Sequence, residues 1–395
     1  MALSQQAFEK FFRDIRDFIW SELDAYEGEI ESTGRIPTDK LFPQLRRMRC
    51  FGLLVPEANG GIGLSISQYL PILAEFSKIH GGIRVIVHVH NMTAKTINHL
   101  GTDEQKRTLL PRIATGEISV AFALTEPEAG SGRDIKSRAV RDGDDFILTG
   151  QKHLITNSDF ATHFMVFCHT APERGSEGMS ALLVDRDTPG FTIADMPPLM
   201  GCRGGQHGHL TFRGARVPAR NVLGQEGQGL LQMTASLEVS RLFIAATSLG
   251  TAERALELSL AFAKKRVTFG KPIAERQAVQ TYLANMATDV YALRTMIGEA
   301  ARKADQGRRI SAESSMCKLF GLEAVGRVTD QALLVHGGVG YTQMYPLERL
   351  YRDARLNWLE EGTPTIQRMV IAKSFLDGYE WAPPWPEGGG DGHGC

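Results

Sequence analysis

The chain is short of cysteine, of surplus charge and of long apolar runs, and each shortage removes a class of protein. Five cysteines, Cys50, Cys168, Cys202, Cys317 and Cys395, are an odd, scattered set without CxxC spacing. They read as reduced thiols in a cytoplasmic protein, not as a disulfide framework. Lysine and arginine number 44 against 45 acidic residues, a formal net charge of −1, so no basic face for nucleic acid is expected. The 11 histidines include His88/His90 and His207/His209, but no set of His, Cys and carboxylates has the spacing of metal ligands, and no metal is expected. No apolar run approaches the ~18 residues of a membrane span, and the start, Met1-Ala2-Leu3-Ser4-Gln5-Gln6, turns charged too soon for a signal peptide. The expectation is a chain that neither crosses a membrane nor is secreted.

What is present, 43% hydrophobic and 23% charged over 395 residues, suffices for two or three packed units. Apolar residues at three- and four-residue spacing, as in Phe8-Phe11-Phe12-Ile15-Phe18-Ile19 and Leu70-Ile72-Leu73-Phe76, predict a helical domain over 1–118. Its glycine-rich turn, Asn59-Gly60-Gly61-Ile62-Gly63, lacks GxGxxG spacing and a preceding strand, so it reads as a bend before a helix capped by Ser65. Short runs such as Val120-Ala121-Phe122-Ala123-Leu124 and Ala181-Leu182-Leu183-Val184, with Asp142-Gly143-Asp144 as a hairpin turn, predict an antiparallel β domain over 119–227. Helical periodicity returns over 228–380, and 381–395 is a Pro- and Gly-rich stretch expected to be a tail. The fold class is therefore α+β: a β domain between two helical ones, the second a four-helix bundle.

Three stretches suggest chemistry. In Glu360-Glu361-Gly362-Thr363-Pro364 a carboxylate pair precedes a glycine, with Thr363 as N-cap and Pro364 at the first helical position. A loop carboxylate there can be aimed at a substrate carbon, and Glu361 is the candidate base; the same residues alone would also make an ordinary capped helix with two solvated acids. In the β domain, Thr125-Glu126-Pro127-Glu128-Ala129-Gly130-Ser131-Gly132 and Gly150-Gln151-Lys152-His153-Leu154-Ile155-Thr156-Asn157 put hydroxyls and amides at strand ends, where they can hydrogen-bond a flat polar cofactor. Either one alone reads as a turn.

Taken in order, these motifs resemble the acyl-CoA dehydrogenase family of flavoproteins over about residues 5–378. The likeness continues through Val217-Pro218, Leu223-Gly224-Gln225-Glu226-Gly227, Arg266-Val267-Thr268-Phe269-Gly270-Lys271, Gly337-Gly338-Val339-Gly340-Tyr341 and Arg352-Asp353-Ala354-Arg355. The resemblance implies a bound FAD, with Phe122, Leu124, Thr125, Gly130, Ser131, Ile155, Thr156 and Thr363 on the flavin side. Arg266, Phe269, Gln277, Gly337 and Gly338 would hold its pyrophosphate and adenosine across a subunit contact, which implies a homotetramer or at least a dimer. It implies α-proton abstraction by Glu361 from an acyl thioester on CoA or an acyl carrier protein, hydride transfer to the flavin, and an acceptor such as an electron-transfer flavoprotein. The backbone N–H of Glu361 would be one donor to the thioester oxygen. Ser240 stands where some relatives carry the base instead, and a serine cannot serve as that base. Glu238 and Arg241 match positions near the pantetheine, although they could equally form a helix-surface ion pair.

The departures from the family pattern bear on the acyl pocket, the flavin edge and the acceptor. Gly132 replaces a usual aspartate, Leu154 an aromatic residue, Leu334 a glutamine, and Glu360 a tyrosine beside the base. Arg84, with Glu360 and Gly362, is a substrate-binding candidate, because glutaryl-CoA dehydrogenases carry an arginine at the matching spacing that holds a substrate carboxylate. The alternatives for Arg84 are that it faces solvent or pairs with an acid of the bundle. Two other functions are set against the dehydrogenase: an oxidase or monooxygenase-like flavoprotein reacting with O₂, and a DNA-associated branch with a basic C-terminal region, which is not expected from the acidic, glycine-rich stretch at 387–395.

Overall fold

The structure, a computed structural model, describes residues 2–130 and 134–381. Ser131, Gly132 and 382–395 of the expected tail therefore lie outside the described residues. The chain runs as helices, then strands, then helices.

Among the described residues six α-helices come first: α1 (Gln5–Phe18), α2 (Glu27–Thr33), α3 (Thr38–Arg47), α4 (Ile66–Phe76), α5 (Gly81–Leu100) and α6 (Asp103–Ala114). Ser65 starts α4 with a full capping box to Gln68, and Asp305, from a later helix, accepts from the Ile66 and Ser67 amides at the positive end of the same helix. Helix α5 is the axis of this domain and is buried along nearly its whole length, so its polar residues Arg84, His88, His90 and Asn91 must find partners inside the protein.

The β domain contains β1 (Val120–Ala123), β2 (Arg138–Asp142), β3 (Asp145–Thr156), β4 (His163–His169), β5 (Met179–Asp185), β6 (Phe191–Asp195) and β7 (His207–Pro218). They form one sheet ordered β1-β4-β2-β3-β7-β6, with β5 on β4. The expected antiparallel pairing holds for β2–β3, which closes at the Asp142–Asp145 turn, and for β3–β7, β6–β7 and β4–β5. Strands β1 and β2 instead run parallel to β4. Parallel neighbours are joined by long connections that no local turn signal announces.

The last helices are α7 (Gly229–Lys265), α8 (Gln277–Asp305), α9 (Ser311–His336), α10 (Leu347–Leu356) and α11 (Pro364–Leu376), with a small hairpin of β8 (Val267–Thr268) and β9 (Lys271–Pro272) between α7 and α8. Helix α7 crosses α4 at Gly250, where a Cβ would lie 1.9 Å from the Ala74 carbonyl oxygen, so only glycine permits this approach. Through that crossing the two helical domains share one apolar core. Among the described residues no helix is long and apolar enough to cross a membrane.

Candidate active site

Glu361 lies in the turn between α10 and α11 with φ 57°, a left-handed backbone conformation that costs a non-glycine residue on the order of 1 kcal/mol or more. Two fully buried side chains hold it there. Lys318 of α9 donates from Nζ to the carbonyl oxygens of Glu360 and of Gly362, the latter at 2.5 Å. Gln367 of α11 donates from Nε2 to Glu361 O at 3.2 Å and to Gly362 O at 2.9 Å. Thr363 occupies the N-cap position and Pro364 the first turn, as their order suggests, but the Thr363 hydroxyl accepts no capping bond.

The two adjacent carboxylates meet opposite environments. Burial and then the charge of Glu360 push the Glu361 carboxyl up to about 7, against the pull of Lys318, a hydrogen bond from Ser240, and Arg241. Glu360 is half-buried, but Arg84 above all, with Lys318, outweighs the desolvation and holds it below the usual carboxylate range. One carboxyl kept ionised beside another poised near neutrality is an arrangement suited to acid–base work.

Arg84 reaches this pair from α5. Its Nη1 donates to Glu360 Oε1 at 3.2 Å, and its Nη2 to Asn357 Oδ1 at 3.3 Å and to Cys202 Sγ at 3.7 Å. Of the possibilities left by the sequence, Arg84 thus pairs with an acid, and the acid is the residue standing in for the usual tyrosine. His88, one turn on, lies 3.3 Å from Ser240 Oγ and is kept neutral by burial, which pushes it down to about 4. Glu238 faces elsewhere: it accepts from Ile310 N at 2.9 Å and from the Ser311 hydroxyl, holding the start of α9. Arg241 is 7% exposed and its Nε has no partner among the described residues.

The two strand-end motifs of the β domain meet side by side. Lys152 Nζ, wholly buried, donates to Leu124 O at 2.9 Å and to Glu126 Oε1 at 2.8 Å, while His153 N donates to Thr125 O at 3.0 Å. Glu126 also accepts from Ser137 N and Oγ and from Lys136 N. The register of β3 on β7 slips between Lys152 and Ile155, and at this bulge Leu154 takes φ 56° and turns outward to 45% exposure. The amide and hydroxyl of Thr125 make no hydrogen bond to any described residue, and the partly exposed Phe122 ring stands two strand positions before Leu124. Just past this bulge, at the last residue of β3, His207 accepts the Thr156 hydroxyl at Nε2, 3.0 Å away, because its Nδ1–H is given to Gly205 O at 2.9 Å. Arg84 meets Cys202 Sγ, the Cys202 carbonyl accepts from Gly205 N at 3.3 Å, and Gly205 O holds His207, so the end of β3 and the Glu361 turn border one region.

A third set of candidate residues lies apart. Arg266 caps α7, Phe269 tops the β8–β9 hairpin at 95% exposure, Gln277 opens α8, and exposed Gly337 (φ 62°) and Gly338 follow α9. A small cluster of Ala263, Ile273 and Val335 binds these ends together. Gly337 is 19 residues along the chain from Lys318, about 28 Å at the helical rise, so this set does not complete the Glu361 site within one chain. Lys318, Gln367 and Asn357 were not singled out from the sequence, and His88 was weighed there only as a metal ligand. Only Lys318 left a signal, as a lone charge in the apolar run Met316-Cys317-Lys318-Leu319-Phe320.

Comparison with known proteins places these features in a common frame. The chain matches the acyl-CoA dehydrogenase N-terminal domain over residues 5–117, the middle domain over 121–215 and the C-terminal domain over 227–376. It is 38% identical over 366 residues to an acyl-CoA dehydrogenase of Bacillus subtilis (strain 168), covering 92% of this chain and 96% of that one. It superposes with a TM-score of 0.91 and 32% identity on a chain in the solved structure of the electron transferring flavoprotein of Acidaminococcus fermentans, covering 95% of this chain and 99% of that chain. With butyryl-CoA dehydrogenase from Megasphaera elsdenii the TM-score is 0.90 at 30% identity, covering 95% and 99%.

Proposed function

The chain belongs to the acyl-CoA dehydrogenase family, oxidoreductases acting on the CH–CH bond of acyl-CoA, and on that premise we propose that it dehydrogenates an acyl thioester with Glu361 as the α-proton base. The observation that carries this reading is Glu361 itself, half-buried, held in a left-handed turn and poised near neutrality among Lys318, Ser240 and Arg241. A base whose pKa lies near the working pH combines a sizeable ionised fraction with basicity enough to take a weakly acidic proton. The proton passes from the substrate carbon to a Glu361 carboxylate oxygen, while its backbone N–H meets the thioester oxygen as negative charge develops there.

The residues fit FAD, which when bound supplies the acceptor for the β-hydride. Thr125 has an uncommitted amide and hydroxyl beside the partly exposed Phe122, and Leu124, Ile155 and Thr156 complete the strand ends. Arg266, Phe269, Gln277, Gly337 and Gly338 would serve a cofactor in a second subunit, a reading supported by their distance from Glu361 and by the exposure of Phe269, Tyr341 (84%) and Met344 (74%). The likeness to a chain in an electron transferring flavoprotein structure supports such a protein as the electron acceptor. The purified protein is expected to carry about one FAD per chain and to bleach anaerobically with at least one thioester in a panel on CoA and on carrier protein. Absence of FAD, with none taken up on reconstitution, would sink the reading.

Glu360 bears on both pH dependence and substrate. In the wild type kcat/KM for flavin reduction should rise with pH through about 7, because Glu361 must be ionised to act. In Glu360→Gln a negative neighbour is gone and Arg84 is freed, and both changes favour the charged form of Glu361, so the rise should move to lower pH. The same variant unmasks Arg84 for a substrate carboxyl. The ratio of kcat/KM for a dicarboxylic over a plain acyl thioester should grow by about tenfold or more, and Arg84→Met should cancel the gain. An unmoved profile together with an unmoved ratio would remove Glu360 from both roles.

A further inference from the structure

Lys318 is a buried cation beside the base whose ammonium group grips backbone and not a carboxylate. It is completely buried, it makes no ion pair within 4 Å to a described residue, and its ammonium group donates to two backbone carbonyls on either side of the base. Burying an ammonium is costly unless something is gained by its charge, and a carbonyl is a weaker partner for it than a carboxylate.

The gain lies in the geometry of the peptide it grips. In a trans peptide the C=O and the N–H point in opposite directions, and no described peptide is cis. With Glu360 O drawn onto Lys318 Nζ, the N–H of Glu361 must point away from α9. That N–H makes no hydrogen bond to any described residue. Gln367 pins the next peptide through Glu361 O, so the amide cannot swing to follow a ligand. A positive charge on the carbonyl end of a peptide also polarises it, strengthening its N–H as a donor.

We propose that Lys318 is a positioning residue: it aims and polarises the Glu361 amide so that this N–H meets the thioester oxygen as charge builds on it. The inference rests on the reading of Glu361 given above. A donor fixed before reaction costs no reorganisation when the charge develops, and loss of one such donor lowers kcat by about 10²–10³.

The test compares holoenzyme of wild type, Lys318→Met and Lys318→Arg. The readouts are FAD content, kcat and KM with a plain acyl-CoA, and the pH at which bound acetoacetyl-CoA, whose acidic α-carbon needs no catalytic base, gives its enolate absorption. In Lys318→Met we expect FAD retained, kcat down at least about tenfold with KM little changed, and enolate formation displaced upward by about one pH unit or more. Lys318→Arg, still a cationic donor, should recover part of both. If methionine prevents folding, Lys318→Gln takes its place with the same expected losses. A folded, FAD-replete Met or Gln variant with wild-type kcat, or with an unshifted enolate pH, overturns the inference. Failure of the underlying reading is separately visible: Glu361→Gln that still bleaches the flavin at wild-type rate removes the base, whatever Lys318 does.

Discussion

Replacing Glu361 by glutamine is expected to slow bleaching of the flavin by acyl-CoA by about two to four orders of magnitude, the range a positioned general base contributes. Glutamine keeps the shape of the side chain and its place in the left-handed turn, where Lys318 and Gln367 grip backbone rather than carboxylate. FAD content and thermal midpoint should therefore stay close to wild type, and substrate should still bind. Glu360→Gln is the control, because Glu360 is engaged by Arg84 at 3.2 Å and kept ionised, so it has neither the basicity nor the freedom to take the proton. Stopped-flow reduction in the absence of oxygen reads both variants. Fast bleaching by Glu361→Gln with slow bleaching by Glu360→Gln would show that the base is the other carboxylate.

The helices were legible because each carries its own instructions: apolar spacing in α1 and α4, Ser65 as the cap of α4, and Pro364 opening α11. The candidate base was legible for the same reason, since Glu361-Gly362-Thr363-Pro364 is a local pattern. Its supports were not. Lys318 is 43 residues away in sequence and Arg84 further still, and nothing local says that their charged groups end beside the same turn. Lys152 likewise stands in a polar strand-end motif, and nothing local says that the fold brings Glu126 and the Leu124 carbonyl onto it. The parallel meeting of β1 with β4 is a tertiary choice, made by which edges remain after the hairpins close. Thr363 failed in the opposite sense: a favourable N-cap residue took its position, but its hydroxyl was not used.

The largest loss of stability is expected at Asp353, which lies outside the chemistry and beneath it. Its carboxylate, 5% exposed, accepts from Arg349 Nη1 at 2.9 Å, from Gly81 N at 3.0 Å and from Cys202 N at 2.5 Å. It thereby joins α10 to the first residue of α5 and to the turn before β7, and it sits at the positive end of α5, three residues before Arg84. Even Gly81 has no slack there, since a Cβ would lie 2.7 Å from Cys202 Sγ. Asp353→Ala leaves two buried amides unpaired and Arg349, itself 2% exposed, with Glu27 as its remaining charged partner at 3.0 Å. Breaking such a buried pair typically costs about 3–5 kcal/mol. Arg216→Ala removes an exposed arginine bonded to Asp142 and Asp145, pairs that solvent screens, and should cost far less. Burial opposes the charge of Asp353, but Arg349 and His80 more than offset it and hold its carboxyl below the usual range. A depressed folded pKa stabilises above the ordinary carboxylate range and loses that contribution as pH falls through the folded value, so Asp353→Ala should also flatten part of the acid limb of stability. Unfolding midpoints at matched FAD and protein concentration, from neutral pH into the acid range, provide the measurement. A drop at neutral pH no larger than that of Arg216→Ala would mean that the joint between α5 and α10 is held by its apolar packing and not by this carboxylate.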